Sequence, residues 1–257
     1  MNRYLLFYYI PSNGIYAKSY DFHLYCLNKY KDRFNNETFI LSIDDLSRTD
    51  LINEAKERLK IIFPNAEFQI LQNNPNIRES STVYHLLKDL EKYNGNIFFG
   101  HSKGASNNQI GELYEIYSLY YFNLNDIDLV DNKLNSHLSV GTLKKIFDFK
   151  SFAIFNQLDF DINKYFHYSG TFFINPVKLN KFLKDNNIEI DKRVHRYSET
   201  VLGNLYHSKY AYAIGYDIPE YDLYNKCDYI LKNIMLEDSE YKKFKESFEE
   251  TKKELDL

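Results

Sequence analysis

The segment from Asn96 to Asn108, Asn-Ile-Phe-Phe-Gly-His-Ser-Lys-Gly-Ala-Ser-Asn-Asn, concentrates side chains that do chemistry. Ile97-Phe98-Phe99 predicts a short buried strand, and Gln109 to Tyr121 predicts a helix. Where a buried strand stops and the chain turns toward a helix, side chains and backbone N–H groups are held on a rigid edge. Two chemistries fit the five residues between. Gly100-His101-Ser102-Lys103-Gly104 has the G-x-S-x-G form of a nucleophile elbow, with Ser102 as nucleophile. Alternatively, His101 and Lys103 face phosphates, Gly104 lets the backbone approach them, and the helix N-terminus adds positive potential.

A serine hydrolase needs more than Ser102. Asp159 or Asp161 with His195 or His207 would supply the acid and the histidine in the required order. The oxyanion hole usually draws on an early His-Gly segment, and no His-Gly dipeptide occurs in this chain. A lysine such as Lys103 can neutralise a diphosphate without metal. Two Asp-x-Asp strings, Asp126-Ile127-Asp128 and Asp159-Phe160-Asp161, have the form of a divalent-cation clamp, but neither follows a predicted strand in the right place. No metal site is assigned on them; Mn2+ or Mg2+ stays the alternative to the lysine.

The elements ahead of this segment alternate regularly. Tyr4 to Ile10 predicts a buried strand stopped by Pro11-Ser12-Asn13-Gly14. A helix over Tyr20 to Arg33 follows, then a strand from Glu37 to Ile43 with Asp44 at its end. Asp45 to Ile62 carries Leu51, Ile52, Ala55, Leu59 and Ile62 on one helical stripe. Glu67 to Leu71 is a third strand, and a helix opening at Ser80 or Ser81 turns Val83, Leu86, Leu87 and Leu90 to a core. This β-α-β-α-β-α-β order predicts a parallel sheet covered by helices, with ligands at the C-terminal strand ends. Those ends are Tyr8-Tyr9, Ser42 to Asp44, Asn73-Asn74 and Gly100 to Lys103. Beyond Tyr121 the rhythm changes. Asn123 to Lys150 reads as irregular and polar, Phe152 to Phe155 as a strand, and Tyr168 to Pro176 as one strand opened by Gly170. Helices are expected at Val177 to Lys184 and near Ser198 to Tyr206, and the charged run Glu237 to Leu257 as a solvated helix.

Composition excludes several classes. With 257 residues, 44% hydrophobic and 26% charged, the chain is built to fold rather than to stay disordered. A net charge of −4 argues against a general nucleic-acid binder. Cys26 and Cys227 lie too far apart in sequence for a metal-spaced set, which points to a reducing compartment. The apolar start before Pro11 is too short for a signal segment or a membrane span, so a cytoplasmic location is expected. Twenty-four Tyr and 20 Phe without Trp reflect codon bias and imply no carbohydrate binding by themselves.

Three strings in order carry a resemblance: Asn74-Pro75-Asn76-Ile77-Arg78-Glu79-Ser80, then Ile97 to Gly104, then His167-Tyr168-Ser169-Gly170-Thr171-Phe172-Phe173. In that order and at that separation they resemble the GT-A-type glycosyltransferases of bacteria and viruses, more narrowly the rhamnan-synthesis and capsular-polysaccharide group. Ser102 stands where Thr is usual, and Thr171-Phe172-Phe173 replaces an Asn-Phe-Trp-like pattern. The resemblance spans roughly residues 4 to 210 and implies a GT-A-like (Rossmann-like) α/β fold, a mostly parallel sheet with helices on both faces and a smaller acceptor-side subregion. One domain over 1–257 is then expected, with a nucleotide-binding half to 121, an acceptor-side half to 215 and a helical tail.

It further implies transfer of a sugar from a UDP-, GDP- or dTDP-sugar donor to a glycan or glycoconjugate acceptor. Tyr8, Asp44, Asn73, Arg78, His101, Lys103 and Gly104 would hold the donor, with Asp44 on the base or ribose and Arg78 on a phosphate or ribose. His167, Ser169 and Gly170 would line the sugar and acceptor. Glu199, in Tyr197-Ser198-Glu199-Thr200, would take the proton of the attacking hydroxyl. The same fold without a competent base would be a nucleotide-sugar-binding module.

Overall fold

Residues 1–9, 17–43, 49–72, 80–102, 110–142, 144–146, 166–168, 171–190, 202–203, 205–214 and 231–255 are described by the computed structural model. The first four predicted strands form: β1 (Arg3–Tyr9), β2 (Asn36–Ile43), β3 (Glu67–Gln72) and β4 (Asn96–His101). Between them run α1 (Ala17–Lys29), α2 (Thr49–Ile62) and α3 (Ser80–Lys88), and α4 (Ile110–Leu124) follows β4. The four strands are mutually parallel in the order β3-β2-β1-β4, as βαβ crossovers require.

The region read as irregular is largely ordered. Helix α5 (Ile127–Leu134) forms because Asp126 caps it, its side chain accepting from the N–H of Leu129 at 3.0 Å, and because Ile127, Val130 and Leu134 make one buried stripe. Strand β5 (Ser139–Thr142) and the short β6 (Lys144–Ile146) come next. The single strand expected over Tyr168 to Pro176 is two: β7 (Phe166–Tyr168) and β8 (Phe172–Ile174), in different sheets. Pro176 opens α6 (Pro176–Asp185), with Asn175 as its cap. Strand β9 (Ala211–Ile214) and α7 (Asp238–Glu254) complete the described elements. The strand expected at Phe152 to Phe155 and most of the helix near Ser198 to Tyr206 lie outside the described residues.

The main sheet runs β3-β2-β1-β4-β8-β5-β9, and within it only β8 is antiparallel to its neighbours. Cross-strand aromatic pairs fix its register on both faces: Phe98 with Phe173 at 4.9 Å between centroids, and Phe99 with Phe172 at 5.2 Å. One face packs on α1, α2, α4, α5 and α7, and the other on α3, α6 and Leu202, Leu205 and Tyr206. The expected class, a mostly parallel α/β sheet with helices on both faces, is the one observed.

Helix α7 is only half solvated. Its charged side chains face outward, but Tyr241, Phe244, Phe248 and Thr251 are buried. Phe244 meets Tyr117, Tyr121 and Phe122 of α4 at 5.6, 5.3 and 5.3 Å, and Phe248 meets Tyr114 at 4.1 Å. At the N-terminal edge of the sheet, Asp131 of α5 ties two strands. Its carboxylate accepts from Arg3 Nη2 at 2.6 Å and from Asn96 Nδ2 at 2.8 Å. Asp131→Ala should lower stability by about 2 kcal/mol, since it strands a largely buried guanidinium and an amide. Urea unfolding measures this.

Candidate functional site at the strand ends

Strand order decides where a ligand fits. From β1 the sheet grows one way through β2 and β3 and the other way through β4, so consecutive connections diverge between β1 and β4. Such a switch point leaves a crevice above the C-terminal strand ends. Tyr8 and His101 sit directly across from each other there. Both are buried, and strand alternation puts them on the face that carries Leu6, Ile97 and Phe99. The N–H of Ser102 donates to the carbonyl of Tyr8 at 3.0 Å, which carries the ladder one step past β4. Lys103 is the next residue.

That geometry does not display Ser102 as an elbow nucleophile. Ser102 is buried and continues an extended ladder. Among the described non-glycine residues, positive φ occurs at Asn187, not at Ser102. His207, one of the two histidines a triad would draw on, caps the turn Ser208–Tyr210 by accepting from the N–H of Lys209 at 3.0 Å. Gly100 has a packing reason of its own: a Cβ there would stand 2.7 and 2.8 Å from ring carbons of Phe7. Phe7 is fully buried and cannot swing away. Gly100→Ala should cost about 1–3 kcal/mol through overpacking, lowering the melting temperature by roughly 2–4 °C per kcal/mol for a chain this long.

Of the other residues expected in the site, Asp44, Asn73, Arg78, Lys103, Gly104, Ser169, Gly170 and Glu199 lie outside the described residues, as do Asp159, Asp161 and His195. Ser42 pairs with Leu71 near the ends of β2 and β3, so these strands stop at the same edge as Tyr8 and His101. Asp126 is engaged as the α5 cap. No three His, Cys, Asp or Glu among the described residues form a metal-ligand group. No described helix is long and apolar enough to cross a membrane.

His167 is on β7, opposite Lys145 of β6. The ribbon β6–β7 packs on β5 and β9 through Tyr168 and Lys144. The ring of Tyr168 covers Gly141, where a Cβ would come within 2.6 Å of it. Its hydroxyl donates to the carbonyl of Tyr212 at 3.0 Å and lies 3.0 Å from Ser139 Oγ. The ammonium of Lys144 is buried and donates to the carbonyls of Ala211 at 3.1 Å and Ser208 at 3.3 Å, with the Phe166 ring at 5.6 Å. The sequence gives no sign of this lysine's anchoring role, because its partners are backbone carbonyls distant in the chain. Gly203 also touches the ribbon: a Cβ there would be 2.0 Å from the carbonyl oxygen of Phe166. The segment four residues past Glu199 therefore packs directly against the residue before His167.

No family profile matches the chain, and no curated protein matches it in sequence. Solved structures match in shape. Residues 1–349 of S. aureus TarS are 12% identical, with 98% of this chain and 72% of that one covered at a TM-score of 0.43. The 4-diphosphocytidyl-2C-methyl-D-erythritol synthase of Anaerococcus prevotii DSM 20548 is 8% identical over 96% of each chain, TM-score 0.40. A UDP-glucose pyrophosphorylase complexed with UDP-glucose is 9% identical over 83% of this chain and 90% of its own, TM-score 0.35. At such identities and scores these likenesses carry nothing about chemistry.

Proposed function

We propose that the chain is a GT-A-type glycosyltransferase that moves a sugar from a nucleotide-sugar donor to a glycan or glycoconjugate acceptor. The observation that carries it is the switch point itself. Tyr8 and His101 end adjacent parallel strands, and the chain leaves β4 there through Lys103 and Gly104. A switch point of that kind, followed in sequence by a lysine and a glycine, suits a diphosphate. The narrower kinship with rhamnan-synthesis and capsular-polysaccharide enzymes rests on the three sequence strings. Within this proposal, Asp44, Asn73 and Arg78 complete the donor side, His167, Ser169 and Gly170 line the sugar and acceptor, and Glu199 is the base. Lys103 takes the place of a divalent cation.

A thermal-shift panel of UDP-, GDP- and dTDP-sugars, with and without Mn2+, tests it. A donor at a hundred times its Kd stabilises the fold by about 2.7 kcal/mol, a rise of roughly 5–11 °C. Slow hydrolysis of the stabilising donor then marks an enzyme, whereas stabilisation with no turnover toward any acceptor marks a binding module. Labelling of Ser102 by a fluorophosphonate, with no response to any nucleotide, would overturn the proposal in favour of a serine hydrolase.

A further inference from the structure

The main sheet has its edges at β9 and β3, and at each a lysine lies over a ring of the edge strand, Lys133 over Tyr212 at 4.5 Å and Lys60 over Phe68 at 5.8 Å. At β9, His137 also packs on the Tyr212 ring, at 5.3 Å. Strand β3 at the other edge has six residues in unbroken register with β2, from Thr38 opposite Glu67 to Ile43 opposite Gln72. It carries no lysine, no proline and no bulge, the devices that keep a free edge from pairing. Its only charge is Glu67, and Ile70 is 55% exposed. Among the described residues no strand pairs on its outer side.

We propose that β3 pairs antiparallel with β3 of a second copy of this chain, so that one sheet runs through both copies. The strand's own sequence selects the occupant and the register. Residues directly opposite each other in an antiparallel pair share a face of the sheet. A two-fold axis normal to the sheet must therefore pass beside a residue, not between two. Centred on Gln69, it sets Phe68 against the copy's Ile70 and Ile70 against the copy's Phe68, both on the face where Phe68 stacks on Phe39 at 5.8 Å. These are aromatic to β-branched pairs, which favour cross-strand association. Glu67 then meets the copy's Leu71, so no like charges are opposed. Centred on Ile70 instead, the axis would set Phe68 against Gln72 and gain neither pair. An interface of one six-residue edge is at the small end of the range for specific association, so the dimer is weak and concentration-dependent. Strand β2 separates this edge from the β1–β4 crevice, and the inference does not depend on the proposed activity.

Sedimentation over a range of concentrations reads the result directly. The expected outcome is a reversible monomer–dimer equilibrium that Ile70→Lys weakens at least about tenfold with an unchanged melting temperature. Gln69→Cys should cross-link two chains under mild oxidation, because the axis brings the two copies of that position together. A chain that stays monomeric at every concentration overturns the proposal. So does a dimer that survives Ile70→Lys, an open-ended aggregate in place of a pair, or a dimer that never cross-links through position 69.

Discussion

Glu199→Gln is expected to lower sugar transfer at least about a hundredfold while leaving donor affinity unchanged. An acceptor hydroxyl is a weak nucleophile until a base takes its proton during attack, and a positioned carboxylate contributes about 10²–10⁴-fold in rate. Glutamine keeps the shape and much of the hydrogen bonding of glutamate but has no basicity. Glu199 lies outside the described residues, and its assignment rests on the sequence resemblance. Downstream of it in the chain, Leu202 and Leu205 are buried, and Gly203 abuts the backbone of Phe166, next to His167. Single-turnover transfer and donor titration on the same variant separate the outcomes. A fall in donor affinity that matches the fall in rate would make Glu199 a sugar ligand. No change in either would leave it an ordinary glutamate, with Asp159 or Asp161 as the next base to test.

Lys103→Ala should weaken binding of a nucleoside diphosphate by about 1.5–3 kcal/mol, roughly 10- to 150-fold, the scale of a charge-assisted hydrogen bond. Lys103 directly follows Ser102 in the chain, and the N–H of Ser102 is tied to the carbonyl of Tyr8 at the switch point. If that ammonium neutralises the diphosphate, EDTA should cost little activity. Calorimetric titration with UDP and GDP, with and without EDTA, measures both effects. A strict requirement for Mn2+, with unchanged affinity in the variant, would return the diphosphate to a metal.

The parallel half of the sheet was legible because β1, β2 and β4 carry apolar runs, β3 mixes Phe68, Ile70 and Leu71 with polar residues, and the helices between carry clear stripes. Strand β5 was not. Ser139-Val140-Gly141-Thr142 has one large apolar side chain, and its burial comes from Tyr168 lying over Gly141, a contact no local pattern announces. Tyr168 and Phe172 read as one strand because the three residues between them carry no mark of which sheet each joins. The antiparallel place of β8 between β4 and β5 is likewise a property of pairing partners, fixed by aromatic rings on separate strands. In α7 the buried stripe Tyr241, Phe244 and Phe248 has helical spacing, but the density of Lys and Glu around it hid the signal. The adjacency of Tyr8 and His101 was legible because strand ends are predictable, whereas the anchoring by Lys144 depends on carbonyls brought near only by folding.

The aromatic seam between α4 and α7 also sets an order of events during synthesis. Helix α4 leaves the ribosome long before α7, yet Tyr114, Tyr117 and Phe122 have their cover in Phe244 and Phe248. Until α7 emerges, the nascent chain presents an apolar strip on the sheet face opposite the one that carries Tyr8. A chain shortened before Asp238 should therefore leave these rings uncovered and bind an apolar dye more strongly than the whole chain does.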